Sequence, residues 1–186
     1  MSSPPPTSST SGETSLSKLL STLTVTLHPP TYVFLNIPVS DFEGTNAASR
    51  FPIPLAEIIL FFREPGDGIT VIVELAVIER YQRQDQAQKS VENDSVPDTV
   101  GSRLKTLYRY DYQYPCRMIT CDVHSSLAAV GFMATLATRL ARRGISVNPV
   151  SGFFHDHLFV PAEKAEEAVR VLEEVREEAS QKSGSN

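Results

Sequence analysis

The second half of the chain carries the hydrophobic pattern of five consecutive elements, in the order strand, helix, strand, strand and helix. Residues 118–123 alternate apolar and polar side chains, which predicts a strand, and apolar residues recur at helical spacing over 126–143. Residues 145–150 and 157–160 predict two more strands, and Pro161 introduces the last helix. A ferredoxin-like module has one strand more than this order provides. A strand from the first half must therefore complete or cover the sheet, so that the two halves interlock.

The first half predicts a second set of elements around a hairpin. Leucines at helical spacing follow Ser15, residues 32–37 favour a strand, and residues 75–81 favour a short helix. Residues 66–68 read Gly-Asp-Gly between two apolar runs, which predicts a tight turn because glycine tolerates positive φ. The expected organisation is a disordered head at 1–14, an N-terminal half at 15–81, a flexible insertion at 82–106, a C-terminal domain at 107–179 and a disordered tail at 180–186.

Composition and charge narrow the classes of partner. The 186 residues carry a net charge of −5, which argues against nucleic acid or an anionic membrane surface as the main partner. No apolar run of the sequence is long enough to cross a bilayer. The two cysteines, Cys116 and Cys121, lack the spacing of a metal site and favour a reducing compartment. We therefore expect a cytoplasmic protein with no nucleic-acid or membrane partner.

The predicted strands of the second half have one apolar and one polar face, because side chains alternate along a strand. Ile119, Cys121 and Val123 share the face that should pack against the two helices. The opposite face carries a larger and mostly polar set: Thr120, Asp122, His124, Ser146, Asn148, His155, His157 and Phe159. Such groups are either exposed to water or buried with partners, since burying one unpaired costs about 1–3 kcal/mol.

Polar and glycine residues at the predicted turns are candidate binding groups. Ser125-Ser126-Leu127 opens the predicted helix, where free main-chain N–H groups and the helix dipole attract a carboxylate. The simpler interpretation is that one of the two serines is only the N-cap. Gly144 is most simply the C-cap of the same helix. Asn148 lies inside an apolar strand, where its amide could bind a ligand's α-amino or carboxylate group or be satisfied by neighbouring backbone.

The run His155-Asp156-His157 raises the question of a metal site. The two histidines share a strand face and His124 is expected nearby, an arrangement that suits transition metals. No cysteine or carboxylate completes the site, because Asp156 should point to the other face. We therefore expect neither a metal nor a cofactor. Ligand contacts and structural hydrogen bonding are the other interpretations of these histidines.

These segments resemble the ACT-domain superfamily. The resemblance rests on the run Val123–Gly131, on Gly144-Ile145 with Asn148, on Gly152, and on His155-Asp156-His157 with Phe159-Val160-Pro161. Within that superfamily the chain is similar to small two-ACT proteins of bacteria and fungi, a group that also resembles CASTOR-type amino-acid sensors. The resemblance implies an α+β fold of two interlocked ferredoxin-like (ACT) βαββαβ-type modules, with antiparallel sheets and helices on one face.

The resemblance also implies a function, that of a regulatory module which binds a small molecule, often an amino acid. In ACT modules the strand-to-helix turn and the glycine turn after the helix line the ligand pocket. The predicted ligand-binding residues are His124, Ser125, Ser126, Leu127, Gly144, Ile145, Asn148, Gly152, His155 and His157. The expected partners are an amino acid and either a second copy of the chain or a regulated protein.

Two other functions stay open on the sequence. One is an enzyme that uses His124, His155 and His157 with Asp122 as acid–base groups, although no substrate is indicated. The other is an assembly module without a ligand, whose open sheet face pairs into a dimer. The sequence has no Ser/His/Asp nucleophile arrangement, phosphate-binding loop or dinucleotide fingerprint, which favours binding over catalysis.

Overall fold

The chain folds into two compact units, each described here by itself. The computed structural model describes residues 12–39, 53–66, 68–89 and 112–183, without the side chains of 85–89. Unit 1 contains both ends of the chain, residues 1–28 and 118–186. Unit 2 contains the middle of the chain, residues 29–117. Unit 2 is therefore one continuous segment of the sequence, and it lies between the two segments that make up unit 1.

The described residues form four α-helices and six β-strands. In chain order these are α1 (Leu16–Ser21), β1 (Val25–Ile37), β2 (Ile58–Glu64), β3 (Gly68–Glu74), α2 (Leu75–Lys89), β4 (Gln113–Cys121), α3 (Phe132–Arg142), β5 (Asn148–Ser151), β6 (Asp156–Pro161) and α4 (Ala165–Ser183). Short 3₁₀ turns precede β2 and α4, at Leu55–Glu57 and Ala162–Lys164. None of the described helices is long and apolar enough to cross a membrane.

The sheet of unit 1 has the strand order β1-β4-β6-β5, with β1 contributing only its first residues. The apolar side of these strands packs with side chains of α1, α3 and α4. Leu19 and Leu23, each 1% exposed, lie in this core beside Ile119, Leu136 and Leu172. The start of the chain thus supplies both a strand and core leucines to the C-terminal module. The predicted interlocking of two α+β modules is confirmed.

Unit 2 is built around the predicted hairpin. β3 pairs antiparallel with β1, where Val33 lies opposite Val73, and with β2 on its other side. The hairpin closes with Glu64 opposite Gly68. Gly68 has a φ of 128°, and a Cβ at this position would lie 2.5 Å from Asn36 Oδ1. Only glycine fits both the positive φ and the close approach.

The predicted start of the helix after β4 is wrong. Helix α3 begins at Phe132, whereas the sequence pattern placed its start near Ser126. Gly131 precedes the helix with a left-handed φ of 88° and provides no side-chain cap. A left-handed residue interrupts a right-handed helix, so residues 126–129 form a separate turn, in which Ala129 N–H donates to the carbonyl oxygen of Ser126.

Three other boundaries differ from the predictions. β1 begins at Val25 and continues through Pro29 and Pro30, whereas the predicted strand began at residue 32. β5 begins at Asn148, so residues 145–147 precede the strand. Helix α2 continues to Lys89 because Gln, Arg and Lys are good helix formers even without an apolar face. The rest of the predicted insertion, most of the head and the end of the tail lie outside the described residues.

Candidate functional site

The unit 1 sheet carries a row of hydrogen-bonded side chains on the side away from its core. We call this row the polar face; it consists of Thr26, His28, Thr120, Asp122 and His157. Thr26 Oγ1 donates a hydrogen bond to Asp122 Oδ2 at 2.6 Å. Thr120 Oγ1 lies 2.7 Å from His28 Nε2 and 3.0 Å from His157 Nδ1. The polar face therefore connects three neighbouring strands, β1, β4 and β6, through side chains.

The Thr120 hydroxyl restricts which ring nitrogens of His28 and His157 carry a proton. A hydroxyl has one proton, so it donates to at most one of the two rings and accepts an N–H from the other. Burial lowers the pKa of His157, and the charges of His155 and His28 lower it further. The neutral form of His157 is thus favoured.

The turn that follows β4 is bonded through its main chain to the start of the protein. Ser126 N–H donates to the carbonyl oxygen of Glu13 at 2.9 Å, and Glu13 N–H donates to the carbonyl oxygen of His124 at 2.8 Å. Gly12 lies so close to this turn that a Cβ on it would be 2.6 Å from Ser126 N. The Ser126 N–H group, which the sequence predicted to be free for a ligand carboxylate, is therefore occupied by the chain itself.

The serine side chains at this turn have local structural roles. Ser125 N–H donates to the carbonyl oxygen of Val123 at 3.0 Å, and Ser125 Oγ donates to Asp156 Oδ2. Asp156 is only 4% exposed, so the hydroxyl satisfies a buried carboxylate. Ser126 Oγ accepts the N–H of Ala128 at 3.2 Å. Neither serine caps α3, which corrects the predicted N-cap role.

Around the turn, several apolar side chains are exposed. Leu127 and Val130 are 70% and 84% exposed, and Phe153 and Phe154 are 69% and 62% exposed. The ring of His124, also exposed, lies 6.0 Å from the Phe154 ring between centroids. The loop before α3 and the loop between β5 and β6 thus meet at one end of unit 1.

The structure separates two of the predicted residues from this turn. Gly144 and Ile145 follow the C-terminus of α3, whose 11 residues span about 16 Å. Gly144 has a φ of 65° and donates its N–H to Ala141, which closes the helix. Ile145 is 1% exposed and belongs to the core. Gly152 instead lies in the β5–β6 loop, close to the turn, with its N–H bonded to His155 at 2.9 Å.

The remaining predicted residues adjoin the polar face. Asn148 lies opposite Phe159 in the β5–β6 pairing, which places it on the same sheet face as His157. Asn148 and His155 are both exposed. In the described part of the chain no three His, Cys, Asp or Glu side chains come together as metal ligands. The sequence analysis missed His28, because β1 was not predicted to extend that far towards the N-terminus.

A groove of 740 Å³ lies on the helical side of unit 1, between α1, α3 and α4. Its lining includes Leu16, Leu20 and Val175, and its polar rim includes Arg139 and Glu178. Arg139 donates two hydrogen bonds to the Glu178 carboxylate, one of them at 2.8 Å, which links α3 to α4. Helix α1 therefore forms one wall of this groove.

Two ACT-domain family models match the chain, one over residues 111–174 and one over residues 11–82. The chain belongs to the ACT-domain family. The matches fall one in each half of the sequence, so this is a tandem ACT-domain protein. The second match begins at the segment that contacts the turn after β4.

Solved structures agree with this assignment. A Vibrio cholerae protein of unknown function, described as a possible transport protein, is 31% identical with a TM-score of 0.56, and the match covers 87% of this chain and 95% of that one. The regulatory subunit of aspartate kinase from Thermus thermophilus is 15% identical with a TM-score of 0.51, covering 82% and 97%. E. coli aspartokinase III, in complex with aspartate and ADP, is 12% identical with a TM-score of 0.50, covering 82% and 33%. The two kinase structures show the fold alone. A comparison with curated proteins gave no match.

Proposed function

We propose that this tandem ACT-domain protein is a regulatory protein that binds a free α-amino acid at the turn after β4. Tandem ACT domains that resemble the regulatory subunit of aspartate kinase suggest regulation by a small molecule. The choice of this turn as the site rests on how it binds Glu13.

The observation that carries the proposal is the pair of main-chain hydrogen bonds on Glu13. Its N–H donates to His124 O at 2.8 Å and its carbonyl oxygen accepts from Ser126 N–H at 2.9 Å. These two groups are joined through one Cα, which is the skeleton of a free amino acid. The two main-chain groups that bind Glu13, His124 O and Ser126 N–H, form the proposed binding site, which we call the seat. An amino acid in the seat directs its ammonium to His124 O and its carboxylate to Ser126 N–H. Both bonds are then charge-assisted and stronger than those of a neutral peptide.

The surroundings of the seat offer groups that can select the ligand side chain. The exposed His124 and Leu127 belong to the turn, and Asp122 extends from the adjoining end of β4. Asn148 and His155 adjoin the polar face, to which His157 belongs, and Ser125 and Gly152 lie in the two loops. In the proposed site Gly144 and Ile145 have no part, because they lie at the other end of α3.

Regulation requires that the ligand favours one of two states of the protein. The proposed output is a change in affinity for a protein partner or for a second copy of the chain.

An enzyme that uses His124, His155 and His157 is the weaker hypothesis. His157 is hydrogen-bonded to Thr120, while the His124 ring lies beside Phe154. The likeness to a regulatory subunit also favours a non-catalytic role.

A thermal-shift panel of the twenty proteinogenic L-amino acids tests the proposed function. An amino acid at about 100 times its Kd should raise the Tm by roughly 5–10 °C. Two analogues of the best ligand sharpen the test: the α-hydroxy acid lacks the ammonium, and the decarboxylated amine lacks the carboxylate. Both should lose most of the shift, because each removes one of the two charge-assisted bonds. A panel without any stabilising amino acid would contradict the proposal.

Two substitutions at one position separate main-chain from side-chain recognition. Ser126→Pro removes the N–H that is proposed to bind the carboxylate, and it should abolish the shift if the variant remains folded. Ser126→Ala removes only the hydroxyl and keeps the N–H, so it should retain the shift. Equal ligand affinity of the proline and alanine variants would place the ligand elsewhere.

A further inference from the structure

The segment Gly12–Glu13, which we call the strap, occupies the same atoms that the proposed ligand needs. Glu13 forms a parallel bridge with Ser125 and uses both His124 O and Ser126 N–H. One carbonyl oxygen and one N–H group cannot hold the strap and an amino acid in the same geometry. Strap and ligand are therefore mutually exclusive at this turn.

We propose that the strap is an internal competitor, which an amino acid displaces when it binds. This inference rests on the proposed function and adds its regulation. The strap enters the seat only because residue 12 is glycine: a Cβ there would lie 2.6 Å from Ser125 C, Ser125 O and Ser126 N. Backbone atoms at such a distance cannot be moved aside as a flexible side chain can. A larger residue at position 12 therefore expels the strap without touching the turn.

The strap is held weakly enough for a small ligand to compete with it. Two hydrogen bonds join it to the turn, at 2.8 and 2.9 Å. The Glu13 carboxylate binds Thr14 N–H, Ser15 N–H and Lys18 Nζ, all within its own segment. Two neutral hydrogen bonds correspond to roughly a 5- to 150-fold preference for the docked strap. The apparent affinity for an amino acid is reduced by the same factor.

The strap leads directly into a helix that lines the groove. The strap is followed within three residues by α1, which begins at Leu16 and lines the 740 Å³ groove. Gly131, at the start of α3, lies beside the same helix, since a Cβ on it would be 3.3 Å from Leu16 Cδ2. Ligand binding at the turn thus changes the segment that leads into one wall of the groove.

The test titrates the 186-residue protein with each of the twenty proteinogenic L-amino acids by calorimetry, in three forms. Gly12→Val should bind an amino acid roughly 5- to 150-fold more tightly than the wild type, because the competitor cannot dock. Thr14→Val adds the same branched side chain at an exposed position two residues on, and its affinity should equal that of the wild type. Circular dichroism checks that all three proteins are folded.

The outcomes separate the two proposals. Tighter binding by Gly12→Val alone supports the internal competitor. Equal affinity in all three proteins overturns the competitor and leaves the amino-acid site standing. Absence of binding by every amino acid to every form overturns both.

A second measurement uses only the wild type, in case Gly12→Val does not fold. Hydrogen exchange of two amides is followed with and without the amino acid that binds best. The Glu13 amide should exchange faster when the amino acid is present, because its acceptor His124 O is taken by the ligand. The Ser126 amide should stay protected, because the ligand carboxylate replaces Glu13 O. Unchanged protection of the Glu13 amide at saturating ligand overturns the competitor.

Discussion

Substitution of Leu23 by alanine tests whether the start of the chain completes the core of the C-terminal module. Leu23 is 1% exposed and packs with residues of β4, α3 and α4. Removing a fully buried leucine side chain costs about 2–5 kcal/mol, from lost burial and from the cavity left behind. A domain is stable by only about 5–15 kcal/mol in total, so this loss is a large fraction. For a chain of this length it corresponds to roughly 4–20 °C in Tm.

Urea unfolding, followed by tyrosine fluorescence and by far-UV circular dichroism, measures the loss of stability and shows which unit loses it. All six tyrosines of the protein lie between residues 32 and 114, and the protein has no tryptophan, so tyrosine fluorescence reports unit 2. Far-UV circular dichroism includes α1, α3 and α4, and hydrogen exchange of α3 and α4 reports unit 1 directly. The loss of protection in Leu23→Ala should appear in these two helices.

A matched control deletes the same atoms from an exposed position. Leu127 is 70% exposed, so Leu127→Ala should change the free energy of unfolding by less than about 0.5 kcal/mol. If Leu23→Ala cost no more than this control, the N-terminal segment would not be part of the core. The interlocked description of unit 1 would then be wrong.

Three further predictions concern single polar or titratable groups. Ser125→Ala should lower the free energy of urea unfolding by about 1–3 kcal/mol, because the buried Asp156 carboxylate loses its hydroxyl donor. Burial raises the pKa of Cys116 and Cys121 from 9.0 to about 12. Both thiols should therefore resist thiol reagents in the folded state, and stability should fall as pH rises from 9.0 to about 12, since unfolded thiols ionise first. Burial and two neighbouring histidines lower the pKa of His157, so the free energy of unfolding should fall as pH drops below 6.5. His157→Gln should reduce this pH dependence, as measured by urea unfolding at several pH values.

The element order and the strand faces of the second half were predictable because their signals are local. Alternation alone placed Ile119, Cys121 and Val123 on one face, and all three are buried in the core of unit 1. The shortage of one strand in the β-α-β-β-α order predicted that the first half completes the sheet, and β1 does so. Both arguments need only periodicity and the requirement that a sheet buries one face.

The start of α3 and the state of the turn were not predictable in the same way. A serine N-cap contributes about 1 kcal/mol, and this local preference at Ser125 or Ser126 competes with contacts that the sequence does not reveal. Glu13 pairs with this turn from the other end of the chain, and His28 meets Thr120 from 92 residues away. Contacts at such separations depend on the fold that brings the segments together. The signal that was overlooked is Gly131, which marks the true beginning of the helix.

The N-terminal segment has two parts that are held with very different strength. Leu19 and Leu23 are each 1% exposed, and burial of two such side chains stabilises the segment by about 3–6 kcal/mol. The strap, by contrast, is partly exposed and attached to the turn by two neutral hydrogen bonds, which contribute about 1–3 kcal/mol together. Two charge-assisted bonds to a ligand are stronger than the two neutral bonds of the strap, whereas the ligand uses none of the contacts that bury the leucines. The strap can therefore be exchanged for an amino acid while α1 stays in the core, so the response is confined to residues 12–15, which lead into the wall of the groove.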